Sequence, residues 1–136
     1  MNTLVDGGCI YVNGHSSAVL PSAIQRNYCD ADEALYAVYY LDGGATNWNV
    51  EANVAANSPL PWAFFLQPDQ TCPAMNNSVA DFFYQDTLAP NAQTPASCNN
   101  TVDWPSIVNV TGEWPAAAAA IIAESGVRAA VPDVYA

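Results

Sequence analysis

The chain contains no lysine, and its only cations, Arg26 and Arg128, stand against 13 acidic residues for a formal net charge of −11. Nucleic acid is thereby excluded as a partner, because neutralising phosphates takes clustered Lys and Arg. Anionic membranes are disfavoured for the same reason. Long hydrophobic runs are missing too: the stretch from Ala116 to Ala123 falls far short of the roughly 20 residues that span a bilayer, so no membrane insertion is expected. Histidine occurs once, at His15. A single imidazole offers little to a transition metal, no glycine-rich turn carries the lysine of a phosphate loop, and "DADE" (30–33) lacks the third acidic ligand and the glycine of a calcium loop. No metal and no cofactor are expected. "GHSSA" (14–18) has the outline of a nucleophile elbow around Ser16, but the one histidine lies beside the serine, where it cannot act as the base of a triad. A polar turn is the better interpretation.

What is present suits one compact unit. A length of 136 residues with 51% hydrophobic content supports one core, so residues 1–136 are expected to form a single domain. Cys9, Cys29, Cys72 and Cys98 are too widely spaced for a redox or zinc motif, and two structural disulfides follow. Three pairings are open on sequence alone; Cys9–Cys29 with Cys72–Cys98 is the one adopted. Sequons at Asn76, Asn99 and Asn109, the absence of lysine and the low charge content point to a secreted protein. The start, "MNTLVDGG", has neither the basic end nor the apolar stretch of a signal peptide, and is taken as a mature chain behind a start methionine.

No internal repeat is visible, and ten prolines are scattered too evenly to mark a linker. "GCIYVNG" (8–14), "PWAFFLQP" (61–68) and residues 107–110 have strand character. "CDADEALYAVYYLDGG" (29–44) has capping-box spacing at Asp30 and Glu33, an apolar face of Ala34, Leu35, Val38 and Leu41, and glycines to end it, which predicts a helix. "NNSVADFFYQDTLAP" (76–90) predicts a second, with Val79, Phe82 and Phe83 on one face and a stop before Pro90. "WPAAAAAIIAESG" (114–126) predicts a third, opened by Pro115 and capped by Gly126. "VRAAVPDVYA" is expected as a last strand or tail. Alternating elements of this kind point to a layered α/β domain.

Among candidate chemistries, Asp42, Glu51, Asp69, Asp81, Asp86 and Asp103 could supply a glycosidase pair, although a solvated acidic surface is the simpler explanation for so many acids. The aromatics are more informative. A neutral sugar is recognised by a flat aromatic face against its C–H groups and by directed polar groups against its hydroxyls. "DGGATNWN" (42–49) brings these together, so Asp42, Asn47, Trp48 and Asn49 are the first candidates for glycan binding, with Trp104 and Trp114 next. The competing explanation for Trp48 is a helix C-cap followed by a core plug, and Trp62 inside "LPWAFF" is expected in the core.

The stretch "VNGHSSAVLPSAIQRNYCDADEALYAVYYLDGG" (12–44), together with the size, acidity and four cysteines, resembles the small secreted glycan-binding proteins of ink-cap mushrooms that inhibit plant viruses. This resemblance implies a three-layer α/β/α sandwich and a non-catalytic lectin that forms a homodimer. It also implies recognition of fucosylated GalNAc–GlcNAc antennae on glycoproteins, with antiviral and apoptosis-inducing activity following from it. The alternatives are a secreted carboxylate-dependent glycosidase and a secreted effector that binds no sugar.

Overall fold

A computed structural model describes residues 8–30, 36–58, 62–66, 75–92 and 96–125. The chain is a parallel β-solenoid and not the expected α/β/α sandwich: among the described residues there are ten strands and a single α-helix. The strands are β1 (Gly8–Val12), β2 (Ser22–Gln25), β3 (Tyr28–Asp30), β4 (Ala37–Leu41), β5 (Trp48–Ala56), β6 (Trp62–Leu66), β7 (Ser78–Gln85), β8 (Ala89–Asn91), β9 (Thr101–Val102) and β10 (Ile107–Val110), and the helix is α1 (Ala116–Glu124). They form a four-stranded sheet, β1-β4-β6-β8, and a six-stranded sheet along the path β10-β7-β5-β2. On the second sheet β3 also pairs with β5, and β9 with β7. Every pairing between these strands is parallel. The chain therefore passes from one sheet to the other and back, laying down one coil per circuit.

The long sheet is creased. Arg26, Ala52 and Asp81 adopt left-handed backbone (φ 56°, 52° and 47°), and the register places Arg26 and Ala52 one residue beyond the partners Gln25 and Glu51. A left-handed residue turns an extended chain and breaks its alternation of faces. Each circuit thus has three sides: the four-stranded sheet, a middle side of β2, β9 and the first halves of β5 and β7, and a third side of β3, β10 and the second halves. Inside, equivalent residues stack coil upon coil. Val12, Leu41 and Leu66 are in register on the first side, Ile24, Val50, Val79 and Val102 on the middle side, and Cys29, Ala55 and Tyr84 on the third. Together they build one apolar core along the axis.

Buried amides hold the corners. The side chain of Asn53, fully buried, accepts from the backbone N–H and side-chain Nδ2 of Asn27 and donates to the carbonyls of Ile24 and Glu51. Asn77 does the same work between coils, accepting from the N–H of Trp48 and donating to the carbonyl of Ala45 at 2.9 Å, while Asn100 accepts from the N–H of Asn77. The Trp48–Asn77 and Asn77–Asn100 bonds join equivalent positions 29 and 23 residues apart, so successive coils differ in length. A repeat is therefore present that the sequence hides: Asn47-Trp48-Asn49-Val50, Asn76-Asn77-Ser78-Val79 and Asn99-Asn100-Thr101-Val102 occupy equivalent positions.

Two expected helices are strands. The region 29–44 contains β3 and β4, with residues 31–35 outside the described residues, and the region 76–90 contains β7 and the start of β8. Val38, Tyr39 and Leu41 face the main core while Ala37 and Tyr40 are buried in a second cluster, so β4 is covered on both faces. Such a continuous apolar run is what a parallel strand requires. In β7 the left-handed Asp81 resets the alternation, leaving Val79 and Phe82 both in the core at a spacing of three that imitates a helix. The strands expected near 8–14, 61–68 and 107–110 are present, as is the helix after Pro115, which ends at Ser125. Cys9 and Cys29 form a disulfide that staples β1 to β3 across the first coil. Cys98 is disulfide-bonded as well, while Cys72, Asp69, Gly126 and the expected final strand lie outside the described residues.

Candidate functional site

The outer faces of the three sides differ, and the difference selects one of them. On the third side Tyr28, Val54 and Phe83 are in register. Helix α1 covers this row, burying Ala118 and Ile121 against it with Trp114 alongside. Arg26 pairs with Glu124 at the end of α1, and the Ser125 hydroxyl donates to the Arg26 carbonyl, so one of the two cations in the chain serves to pin the helix. The middle side shows a polar row of Asn49, Ser78 and Thr101, and Gln25 donates to Glu51 beside it. Its side chains bond mainly to one another.

The first side is aromatic. Tyr11, Tyr40 and Phe65 occupy the same register on β1, β4 and β6. Tyr40 and Phe65 meet edge to face at 5.4 Å and are 4% and 3% exposed. Three more accessible rings surround this buried pair. Tyr11 meets Tyr40 at 5.3 Å and is 42% exposed. Tyr36 lies stacked on Tyr40 at 5.1 Å and 29°, with its edge contact to Phe65 at 5.0 Å. Trp62 touches Phe65 from the other flank at 6.0 Å. Tyr36 and Trp62 are both partly exposed.

Asp42 closes one end of this patch, just beyond β4. Its carboxylate accepts from the Tyr11 hydroxyl at 2.5 Å and from the Tyr40 hydroxyl at 3.0 Å, and Asn13 Nδ2 donates to the Tyr11 hydroxyl oxygen at 3.5 Å. Partial burial pushes the Asp42 carboxyl up, but the hydrogen bonds from Tyr11, the Gly43 N–H and Tyr40 outweigh it and hold the group below the usual carboxylate range. Gly44 is held at φ +99°, a backbone that favours glycine, and a Cβ there would lie 2.7 Å from Asn13 Oδ1 and push that amide aside.

The other candidates do not converge on Asp42. Asn47 is a left-handed corner residue whose Nδ2 donates to the Ser16 carbonyl, and Asn49 accepts from the Ser78 hydroxyl on the middle side. Trp48 is half-buried against the main core with Nε1 donating to the Gly14 carbonyl at 2.9 Å. Trp104 is 54% exposed in the short helical turn Trp104–Ser106, and Trp114 packs beside α1. In "GHSSA", the Ser16 hydroxyl accepts from the Ser22 N–H at 2.6 Å and bonds to its hydroxyl, tying the turn to β2, and His15 is exposed. Of the sequons, Asn76 and Asn99 are left-handed, exposed and stacked, with Asn99 Nδ2 donating to Asn76 Oδ1, and Asn109 is exposed on the edge strand β10.

Sequence reasoning placed Trp62 in the core and passed over Tyr11, Tyr36, Tyr40 and Phe65. A signal was available in the paired tetrads Tyr11-Val12-Asn13-Gly14 and Tyr40-Leu41-Asp42-Gly43, which present an outward ring, an inward aliphatic and a polar end on adjacent coils. No family model matches the chain, and neither does any curated protein or solved structure.

Proposed function

We propose that the protein is a non-catalytic glycan-binding protein whose site is the outer aromatic face of the four-stranded sheet. One observation carries this reading: Tyr36 is stacked on a buried Tyr40 beside a carboxylate that already orders two phenol hydroxyls. Tyr36 is partly exposed, and the C–H face of a pyranose suits an exposed part of an aromatic ring. The Asp42 carboxylate, ordered by the Tyr11 and Tyr40 hydroxyls and partly exposed, is an acceptor for sugar hydroxyls. Held in place by the coil stack, these groups lose little freedom on binding, which favours affinity.

The charge of the chain narrows the ligand to neutral sugars, since a net −11 and a carboxylate within the site repel uronates and sulfated chains. The fucosylated GalNAc–GlcNAc antennae implied by the resemblance remain one class to be tried, but the sandwich fold that the same resemblance implied is not this fold. Secretion and the cell-directed activities belong to the same proposal, and the two disulfide-bonded cysteine sites support it through the compartment in which such bonds persist. A glycan array carrying neutral and anionic structures tests the reading. Binding confined to neutral glycans, with every bound glycan recovered intact after prolonged incubation, is expected. Turnover of a bound glycan would replace a lectin with a glycosidase, and an empty array would leave the aromatic face without a sugar to bind.

A further inference from the structure

Two of the three sequons are accounted for by the coil repeat, and the third is not. Asn76 and Asn99 are corner residues equivalent to Asn47, which is followed by Trp48 and Asn49 and forms no sequon. The residue two positions on, Asn49, Ser78 or Thr101, belongs to the polar row of the middle side, where the Ser78 hydroxyl donates to Asn49. The Asn99 amide donates to Asn76 Oδ1 at 2.9 Å, and the Asn76 N–H donates to the Cys98 carbonyl. Each of these residues has a place in the coil that it fills with or without an attached sugar. Asn109 has none. It continues the inward row of Cys29, Ala55 and Tyr84, where the core calls for an apolar side chain. Yet it is exposed, and its amide makes no hydrogen bond among the described residues. Thr111, the third member of its sequon, is exposed as well.

We propose that Asn109 is an N-glycosylation site and that its glycan shields the open edge of β10. This rests on the secretion reading and is independent of the aromatic face. The sugar donor is a lipid-pyrophosphate-linked oligosaccharide of the secretory pathway. The bond from Asn109 Nδ2 to the anomeric carbon forms, the bond from that carbon to the pyrophosphate oxygen breaks, one amide proton is given up and the lipid pyrophosphate leaves. Thr111 completes the recognised triplet. Location gives the glycan its task. Strand β10 ends the path β10-β7-β5-β2, so one side of it has no strand partner among the described residues. Edge strands are kept from pairing with another chain by proline, by charge or by brevity. β8, the edge of the other sheet, carries Pro90, and β9 has only two residues. β10 reads Ile107-Val108-Asn109-Val110, with no proline, no charge and three β-branched residues. It is the unprotected edge at this end. With Tyr84 packed beneath Asn109 on the preceding coil, a glycan there extends past the last coil and occupies the space of a further strand.

The full chain secreted from a yeast culture provides the test. Enzymatic release of N-glycans in heavy-oxygen water converts each glycosylated Asn to a labelled Asp, which peptide mapping locates. The label is expected at Asn109 and not at the stacked pair Asn76 and Asn99. Thr111→Ala should remove the glycan's mass, while Ser78→Ala leaves it in place. Sedimentation velocity then reads the shielding. The glycosylated protein is expected to stay monomeric, whereas unglycosylated Asn109→Gln and Thr111→Ala form larger species as salt rises from about 0.1 M to about 1 M, because salt screens the repulsion between chains of net charge −11. Asn109→Lys, also unglycosylated, puts a charge on the edge and should remain monomeric, with far-UV circular dichroism reporting that all three variants are folded. A label at Asn76 or Asn99 in place of Asn109, or a protein secreted with its disulfides formed and no glycan, would overturn the site while leaving secretion intact. Monomeric Asn109→Gln and Thr111→Ala across the salt series would overturn the shielding. Four free thiols in folded protein retained inside the cell would overturn secretion and the site together.

Discussion

Replacing Asn53 tests whether buried amides at the corners hold the coils together. Its side chain makes four hydrogen bonds in a fully buried position: two from Asn27 at 3.0 Å each, one to the Ile24 carbonyl at 2.7 Å and one to the Glu51 carbonyl at 3.0 Å. Asn53→Leu preserves volume and removes all four. Each of the four lost bonds is worth about 1 kcal/mol net, and somewhat more where its partner is left dry. A total of about 3–5 kcal/mol is a large share of the roughly 5–15 kcal/mol by which domains are stable. Urea unfolding followed by far-UV circular dichroism measures it, with amide exchange on β2 and β5 to detect opening of single coils, since solenoids can unfold by parts. Asn53→Asp adds a sign. One oxygen keeps the Asn27 contacts, but the other is forced against two carbonyls, so the folded-state pKa is raised above its unfolded value. The variant is therefore most stable at low pH and loses stability as pH rises through the folded pKa. A loss below about 1 kcal/mol for Asn53→Leu, or an Asn53→Asp protein whose stability relative to the parent ignores pH, would show that the amide is incidental.

Three further outcomes follow from the described contacts. Trp48→Ala should destabilise by about 2–3 kcal/mol, less than a fully buried Trp because it is only partly buried, and should leave glycan affinity unchanged in the folded fraction; calorimetry on the variant checks both. Cys9→Ser with Cys29→Ser should cost about 3 kcal/mol in the chain-entropy model for a separation of 20 residues, measured as a lower urea midpoint. The Asp42 carboxyl is held low, so its contribution is fully present above the ordinary carboxylate pKa of about 3.9 and is lost as pH falls through its folded value. Binding should accordingly be flat from neutral to about pH 5 and weaken only below the usual range, a loss that Asp42→Asn abolishes.

The sequence revealed elements whose local pattern agrees with their burial. Trp62–Leu66 is bounded by prolines and apolar throughout, and Ala116–Glu124 is alanine-rich behind Pro115; both were legible. What misled was the corner chemistry. Asp81, left-handed and exposed, shortens the inward spacing of Val79 and Phe82 to three, the mark of a helix, within a strand. Unequal coils, with equivalent residues 29 and then 23 apart, kept the Asn-x-[Asn/Ser/Thr]-Val repeat from showing as a fixed period. The proposed site was legible only in part. Asp42 stands out in the sequence as a candidate beside Trp48, but its partners Tyr11 and Tyr40 become neighbours only when β1 and β4 pair in register, a contact between residues 31 apart for Tyr11 and Asp42 that no local pattern encodes. Trp48 drew attention by its polar neighbours, yet those neighbours are the corner amides of the solenoid.

The most direct measurement is the affinity of Tyr36→Ala for a neutral glycan selected on the array, set beside the parent protein and Trp48→Ala in the same calorimetric titration. Loss of the stacking ring should weaken binding about ten- to hundredfold, equivalent to about 1–3 kcal/mol, measured on protein that far-UV circular dichroism shows to be folded, since Tyr36 also packs on Tyr40 and Phe65. If Tyr36→Ala binds as the parent does while Trp48→Ala, still folded, does not, the glycan lies at the corner near Gly14 and the aromatic face of the first side is only packing.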